Sequence, residues 1–342
     1  MEGPTPEVFK FLMVPFLVRQ AIISFLNPVS AFLLSQCSKK ARGMVESNKR
    51  KLKFTFAIYF KEEITMFPRE PDDYLISING MENNQDGRST FRTDFGEITN
   101  VKAAIGPNGR LVLYTTSKLA TIENLFQELR ELFTLKYKLF FFDLNQIDVS
   151  YTDVRILFKK AKIRFRESTL AGTLTNNQLA ETILKNLNKS RGIIEINSVF
   201  NQDFRISNWI INNNDILVKS AHWFRIENLL GSSCVTARFA EPNITDIDLN
   251  NFLNHLIAGR NPNLQYFFMR MERTYNSDVI LRNIPTEEKQ LQRKYRRYNI
   301  EIEESTNARS FTLQSGVEAS ISFYRQNHLK GIGLLVFRGQ DQ

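Results

Sequence analysis

Residues Thr245 to Met271, TDIDLNNFLNHLIAGRNPNLQYFFMRM, change hydrophobic period part-way along, from a helical spacing to an unbroken apolar run. Leu249, Phe252, Leu253, Leu256 and Ile257 recur at three- and four-residue steps, so they share one face of a helix. Thr245 can cap its start, because a hydroxyl accepts an orphan backbone N–H, and Gly259 can end it in the left-handed conformation. After the Asn261-Pro262 turn, the run from Leu264 reads as a strand. A helix followed by a tight turn and a strand is the repeating element of sheets that are largely parallel.

The same alternation extends outward. Apolar runs start near Leu111, Leu139, Ile163, Ile193, Ile216, Val235 and Leu264, at spacings of 28, 24, 30, 23, 19 and 29 residues. Helical patterns fall between them: Thr121 is placed to cap Ile122 to Phe133, and Thr175 to cap Leu179 to Leu187. The fold class predicted for 111–299 is therefore mixed α/β, with a spacing like that of an irregular leucine-rich-repeat solenoid. No segment reproduces the full leucine-rich consensus with its buried Asn. From 300 to 342 the runs Phe311 to Leu313, Ala319 to Phe323 and Leu334 to Phe337 predict an antiparallel strand cap. Residues 51–110 read as a strand-rich lead-in, with an exposed polar loop from Gly80 to Arg88.

The N-terminal stretch has a different character. Of the 30 residues from Val8 to Cys37, 20 are apolar, yet Pro15, Arg19, Gln20 and Asn27-Pro28 divide them. This predicts three short helices: about Phe16 to Leu26, a second capped by Asn27 with Pro28 at its favoured first position, and a basic third capped by Ser38. Such a unit, 7–50, buries too little surface to stand alone. Its apolar residues must meet the rest of the chain, another protein, or both.

Val14-Pro15, Ile22-Ile23, Leu26, Asn27-Pro28, Leu33-Leu34, Cys37 and the Lys/Arg helix that follows resemble an F-box. The resemblance implies docking on the small adaptor subunit of an SCF-type cullin-RING ubiquitin ligase through Pro15, Leu17, Ile22, Ile23, Leu26, Pro28, Leu33 and Leu34. Leu17 stands where the commoner pattern has Glu, and the Trp usual after the cysteine is missing. Further along, Trp223 before Leu229-Leu230, Asp248-Leu249-Asn250 with Phe252 and Leu253, and Gly259, Asn261, Pro262 and Leu264 resemble the F-box-associated type 2 domain, over about 170–297. That family is expanded in nematodes. Together the two resemblances imply a substrate receptor, whose α/β domain binds the protein to be ubiquitinated. The motif residues themselves read as structural, with Trp223 and Phe252 filling core.

The 45 Lys and Arg against 36 acidic residues give a formal charge of +9, which raises nucleic acid as a partner. Much of the excess sits in Lys39 to Lys53 and Lys289 to Arg297, without a nucleic-acid-binding pattern, and such runs read as solvated helix faces. The first also has the composition of a nuclear-import signal. A protein-interaction module outside any ligase and a basic nucleic-acid-binding protein are the two rival readings.

No catalytic, cofactor or metal constellation is legible. His222, His255 and His328 lie in separate segments without zinc-ligand spacing, and no phosphate loop or nucleophile elbow occurs. The carboxylate pairs Glu62-Glu63, Asp72-Asp73 and Glu303-Glu304 lie in polar stretches. The expectation is a non-enzyme. Cys37 and Cys234, both in apolar runs, argue against a disulfide framework and for a reducing compartment, the cytoplasm or nucleus, and Cys37 is expected to be a buried, inert thiol. The apolar run Phe11 to Val18 is too short to span a bilayer, so no membrane segment is expected.

Overall fold

The computed structural model describes residues 11–60, 64–68, 76–80, 90–95, 98–105, 110–145, 166–188, 192–206, 209–297, 300–326 and 329–337. The expected loop after Gly80, the strand start at Ile163 and His328 lie outside the described residues. The described residues divide into two compact units, 11–140 and 141–337.

The first unit opens with a 3₁₀ turn, Phe11–Met13, and three helices, α1 (Phe16–Phe25), α2 (Pro28–Cys37) and α3 (Lys39–Ser47). Their punctuation is local chemistry. Asn27 Oδ1 accepts the Ser30 N–H at 2.8 Å with Pro28 at the first helical position, and Ser38 Oγ accepts the Ala41 N–H at 3.1 Å. Both caps stand where the sequence predicts them.

Strands β1 (Lys53–Phe60), β2 (Ile64–Pro68), β3 (Ile76–Gly80), β4 (Thr90–Phe95), β5 (Ile98–Ile105), β6 (Leu111–Thr115) and β7 (Thr134–Asp143) follow, with helix α4 (Lys118–Leu132) between β6 and β7. The sheet order is β7-β1-β2-β3-β6-β5-β4; β3 and β6 pair in parallel, while β1–β2, β2–β3, β5–β6 and β4–β5 are antiparallel. Thr121 does not cap α4. It lies one turn inside, fully buried, and donates its hydroxyl to Thr115 Oγ1 at 2.7 Å. The helix starts four residues earlier than its apolar pattern, because Lys118 and Ala120 extend the turn without adding to the apolar stripe.

In the second unit β8 (Glu167–Leu174), β9 (Ile193–Phe200), β10 (Asp215–Val218), β11 (Thr236–Ala240) and β12 (Tyr266–Arg270) are parallel and adjacent in sequence order. Helices α5 (Asn177–Leu187), α6 (Ile226–Leu230) and α7 (Asp246–Ile257) connect them, and α8 (Ser277–Ile280) follows β12. Strands β13 (Glu287–Arg297), β14 (Ile300–Thr312), β15 (Glu318–Gln326) and β16 (Leu329–Phe337) extend the sheet beyond β12 as the expected antiparallel cap.

Helix α7 takes the form read from its sequence. Thr245 Oγ1 accepts the Asp248 N–H at 3.1 Å while Asp248 Oδ2 accepts the Thr245 N–H at 2.8 Å, a reciprocal capping box. At the other end Gly259, at φ 75°, bonds back to the Leu256 carbonyl and Arg260 to His255, which closes a Schellman turn. For α5 the cap is Asn176, whose Oδ1 accepts the Leu179 N–H at 3.0 Å; Thr175 instead gives its carbonyl to Asn201.

Two further expectations are corrected, and a third is not confirmed. Lys289 to Arg297 is not a helix face but most of β13, an edge strand. Cys37 is exposed, because α2 buries Val29, Phe32 and Ser35 and its last residue falls off that stripe. The leucine-rich-repeat-like reading finds no support in the packing. From β9 to β12 the core is aromatic: Phe200 lies 5.3 Å from Trp223, Trp223 5.5 Å from Trp209, and Phe224 stacks on Phe239 at 4.1 Å. Trp223 and Phe252 are buried, as expected of core.

Candidate functional site

Two surfaces concentrate groups able to bind a partner, one in each unit. In the first, the three helices present two faces. The inner face holds Ile23, Val29, Ala31, Phe32, Ala41 and Val45, all buried, and the last turns dock on α4. Arg42 makes the strongest link. Its guanidinium reaches Glu128 and Glu131 of α4 at 2.5 Å each and Glu46 at 2.8 Å. Burial penalises that charge, but the hydrogen bonds and field of Glu128 and Glu46 outweigh the penalty and hold the Arg42 pKa above its ordinary value. Lys49 Nζ donates to the Arg130 carbonyl, and the Thr134 N–H to the Leu52 carbonyl at 3.0 Å. The helical module and the start of β7 are thus fastened at several points.

The outer face is apolar and open to water. Phe25 is 88% exposed, Met13 81% and Leu17 75%, with Phe16 and Val18 beside them. Three of these residues, Phe16, Leu17 and Val18, fall within the first turn of α1, where a soluble helix ordinarily carries polar groups. So many large apolar side chains on one short helix form the kind of patch that marks an interaction site.

The eight residues singled out for docking divide between these faces. Pro15 and Leu17 are exposed, while Ile22, Leu26, Leu33 and Leu34 are half-buried. Ile23 and Pro28 are buried and hold the module together. Met13, Phe16, Val18 and Phe25 join the open face. Their signal was the apolar excess all round α1, which a three-helix packing cannot absorb.

In the second unit, register divides the sheet into two faces. Leu170, Ile196, Val218, Phe239 and Met269 align across β8 to β12 and are buried. The helices cover this side, as the Phe252 ring of α7 shows, 5.3 Å from Phe267 of β12. One residue along, Thr169, Glu195, Leu217, Arg238 and Phe268 align on the opposite side and are half-buried. None of the described helices of this unit covers that row. At its margin Lys219 pairs with Glu195 at 3.1 Å, and Val199 is exposed.

Side-chain amides hold the coil's edge. Asn261, buried, donates to the carbonyls of Leu229 and Ser232 at 3.2 and 3.1 Å; Asn228 donates to Trp209; Asn250 donates to Ile280 and Arg282 at 2.9 Å each. These amides satisfy carbonyls that helix ends and loops leave open. The histidines behave likewise: His222 Nε2 lies 3.1 Å from the Asn201 carbonyl, and His255 Nε2 2.7 Å from Leu230. Among the described residues no group of His, Cys, Asp and Glu could hold a metal ion, and no helix is long and apolar enough to cross a membrane. Cys234 is buried and its thiol is pushed up to about 11 by desolvation, partly offset by the Ser232 hydroxyl.

Residues 196–269 match a protein-family model described as F-box associated. The match runs from the middle of β9 to β12, so it contains the aromatic core, the capping box and the Schellman turn. No curated protein and no solved structure matches the chain. The second unit therefore carries, over residues 196–269, a stretch similar to F-box-associated domains, in a mixed α/β chain that opens with three helices.

Proposed function

We propose that the chain is a substrate receptor of an SCF-type cullin-RING ubiquitin ligase, in which the outer face of α1 docks on the adaptor subunit and the second unit binds the target protein. The observation that carries this reading is a pairing within one chain: an N-terminal three-helix module with an open apolar face, and an F-box-associated match downstream. The mechanism is proximity. Holding a target near the ligase raises its effective concentration, which needs two binding surfaces at a fixed spacing and no active site. The fastening of the module to α4 through Arg42 and Lys49 supplies stiffness on the adaptor side. Such a protein works in the cytoplasm or nucleus, where its partners reside.

The test is co-purification of the full chain with the SCF adaptor, beside a variant carrying Phe16→Ala, Leu17→Ala and Phe25→Ala. These side chains are exposed, so the fold is preserved, whereas central apolar contacts at an interface cost about 2 kcal/mol or more each when truncated. Wild type retains the adaptor and the variant loses it. A wild-type chain that leaves the adaptor unbound, where a known F-box protein captures it, overturns the ligase role.

A further inference from the structure

We infer that Arg238 is the anchor of the half-buried row on the second unit's sheet that none of its described helices covers, and that it takes a carboxylate side chain, Asp or Glu, of the bound protein. This rests on the receptor reading above and names the chemistry by which the second unit recognises its target. Arg238 lies on β11, with β10 and β12 paired on either side, so it sits within the sheet rather than at its edge. Its register neighbours are Leu217 and Phe268, both apolar. The side chain is half-buried, and its Nε is shielded from solvent without a hydrogen-bond partner.

Described cations elsewhere on this face are paired. Lys219 pairs with Glu195, Arg270 with Glu241 at 3.2 Å, and Lys289 with Glu318 at 2.6 Å. On β9 and β10 two acids share the face with Arg238, and Glu167 of β8 lies farther off. Glu195 stands two strands away in the same row, held by Lys219 and by the Asn197 amide at 3.1 Å; Asp215 stands one row back on the neighbouring strand. Among the described residues neither forms an ion pair with Arg238.

An arginine half-withdrawn from water between apolar neighbours, with no acid to meet it, weakens the fold where a leucine would strengthen it. Local choices that work against the fold tend to mark functional positions. The guanidinium fork matches a carboxylate in two parallel hydrogen bonds. A phosphorylated residue carries nearly twice the charge and calls for a cluster of cations. Among the described residues the other cations of this face are paired, so the charge of Arg238 fits a single carboxylate.

The experiment is selection of displayed random dodecapeptides on the full-length chain, followed by affinity measurement of a selected peptide against wild type, Arg238→Gln and Arg238→Lys. Asp or Glu is enriched at one position on wild type. The peptide binds Arg238→Gln at least about tenfold more weakly, the value of one charge-assisted hydrogen bond, and Arg238→Lys falls between. Replacing its acid with the matching amide removes the difference between the proteins. Selection without an enriched acid, selection of no peptide, or equal affinity for wild type and Arg238→Gln overturns the inference. So does tighter binding of a phosphoserine version. If Arg238→Gln misfolds, by near-ultraviolet circular dichroism, the acid-against-amide comparison on wild type decides alone. A chain that captures the adaptor without preferring acids loses this inference only, and one that prefers acids without the adaptor loses the ligase role only.

Discussion

At the scale of single residues, burial separates two cysteines that the sequence makes look alike. Cys234 sits behind Ser232 at the start of β11 and Cys37 at the open end of α2. Native protein near neutral pH therefore gives one alkylated thiol, Cys37, and Cys234 reacts only on unfolding; mass spectrometry after alkylation reads both. The pH dependence has a definite sign. The thiolate is disfavoured in the folded state, so the contribution of Cys234 is fully present below the ordinary thiol value of 9.0 and is lost as pH rises from there to about 11. Stability falls by about 1.4 kcal/mol per pH unit in that window. The difference between wild type and Cys234→Ala, from denaturant unfolding at pH 8 to 11, isolates it. The buried amides tell a related story. The carbonyls that Asn261 satisfies lie 29 and 32 residues away, so nothing beside it in the chain names its partners.

At the scale of elements, helix ends separate what spacing alone can decide from what it cannot. Thr245 has Asp248 three residues on, and the reciprocal box forms. Thr175 and Asn176 are adjacent cap formers, and Asn176 takes the role by accepting the Leu179 N–H. Accordingly Thr245→Ala and Asn176→Ala each cost about 1 kcal/mol, whereas loss of the Thr175 hydroxyl costs under about 0.5 kcal/mol. Chemical denaturation of the three variants checks the ranking, and an equal loss at Thr175 contradicts the assignment. The basic run of β13 illustrates a misread period. In register Arg293 stands opposite Glu304, Lys294 opposite Glu303 and Arg296 opposite Glu301, so a basic strand is paired with an acidic one. Opposite charges placed across from one another in register favour such a pairing.

At the scale of the whole molecule, the N-terminal helices answer both demands of their composition: one apolar face packs on the chain and the other stays open. Deleting residues 1–50 therefore removes the Arg42 and Lys49 links to α4 and lowers the unfolding temperature of the first unit, while the second unit's transition is unchanged; calorimetry reads the two. The sequence by itself determined the three short helices with their Asn27 and Ser38 caps, the Thr245 cap and Gly259 end of α7, the alternation of helix and strand and the antiparallel cap, because each rests on neighbours within one turn or one strand. Only the tertiary structure decided which side of α1 faces water, that Ile23 and Pro28 lie inside, that Cys37 lies outside, and that Arg238 shares a row with Leu217 and Phe268 with no ion pair among the described residues. Those facts depend on register between strands and on helix rotation against a distant partner. Neither leaves a local trace, because the interacting residues are tens of positions apart in the chain.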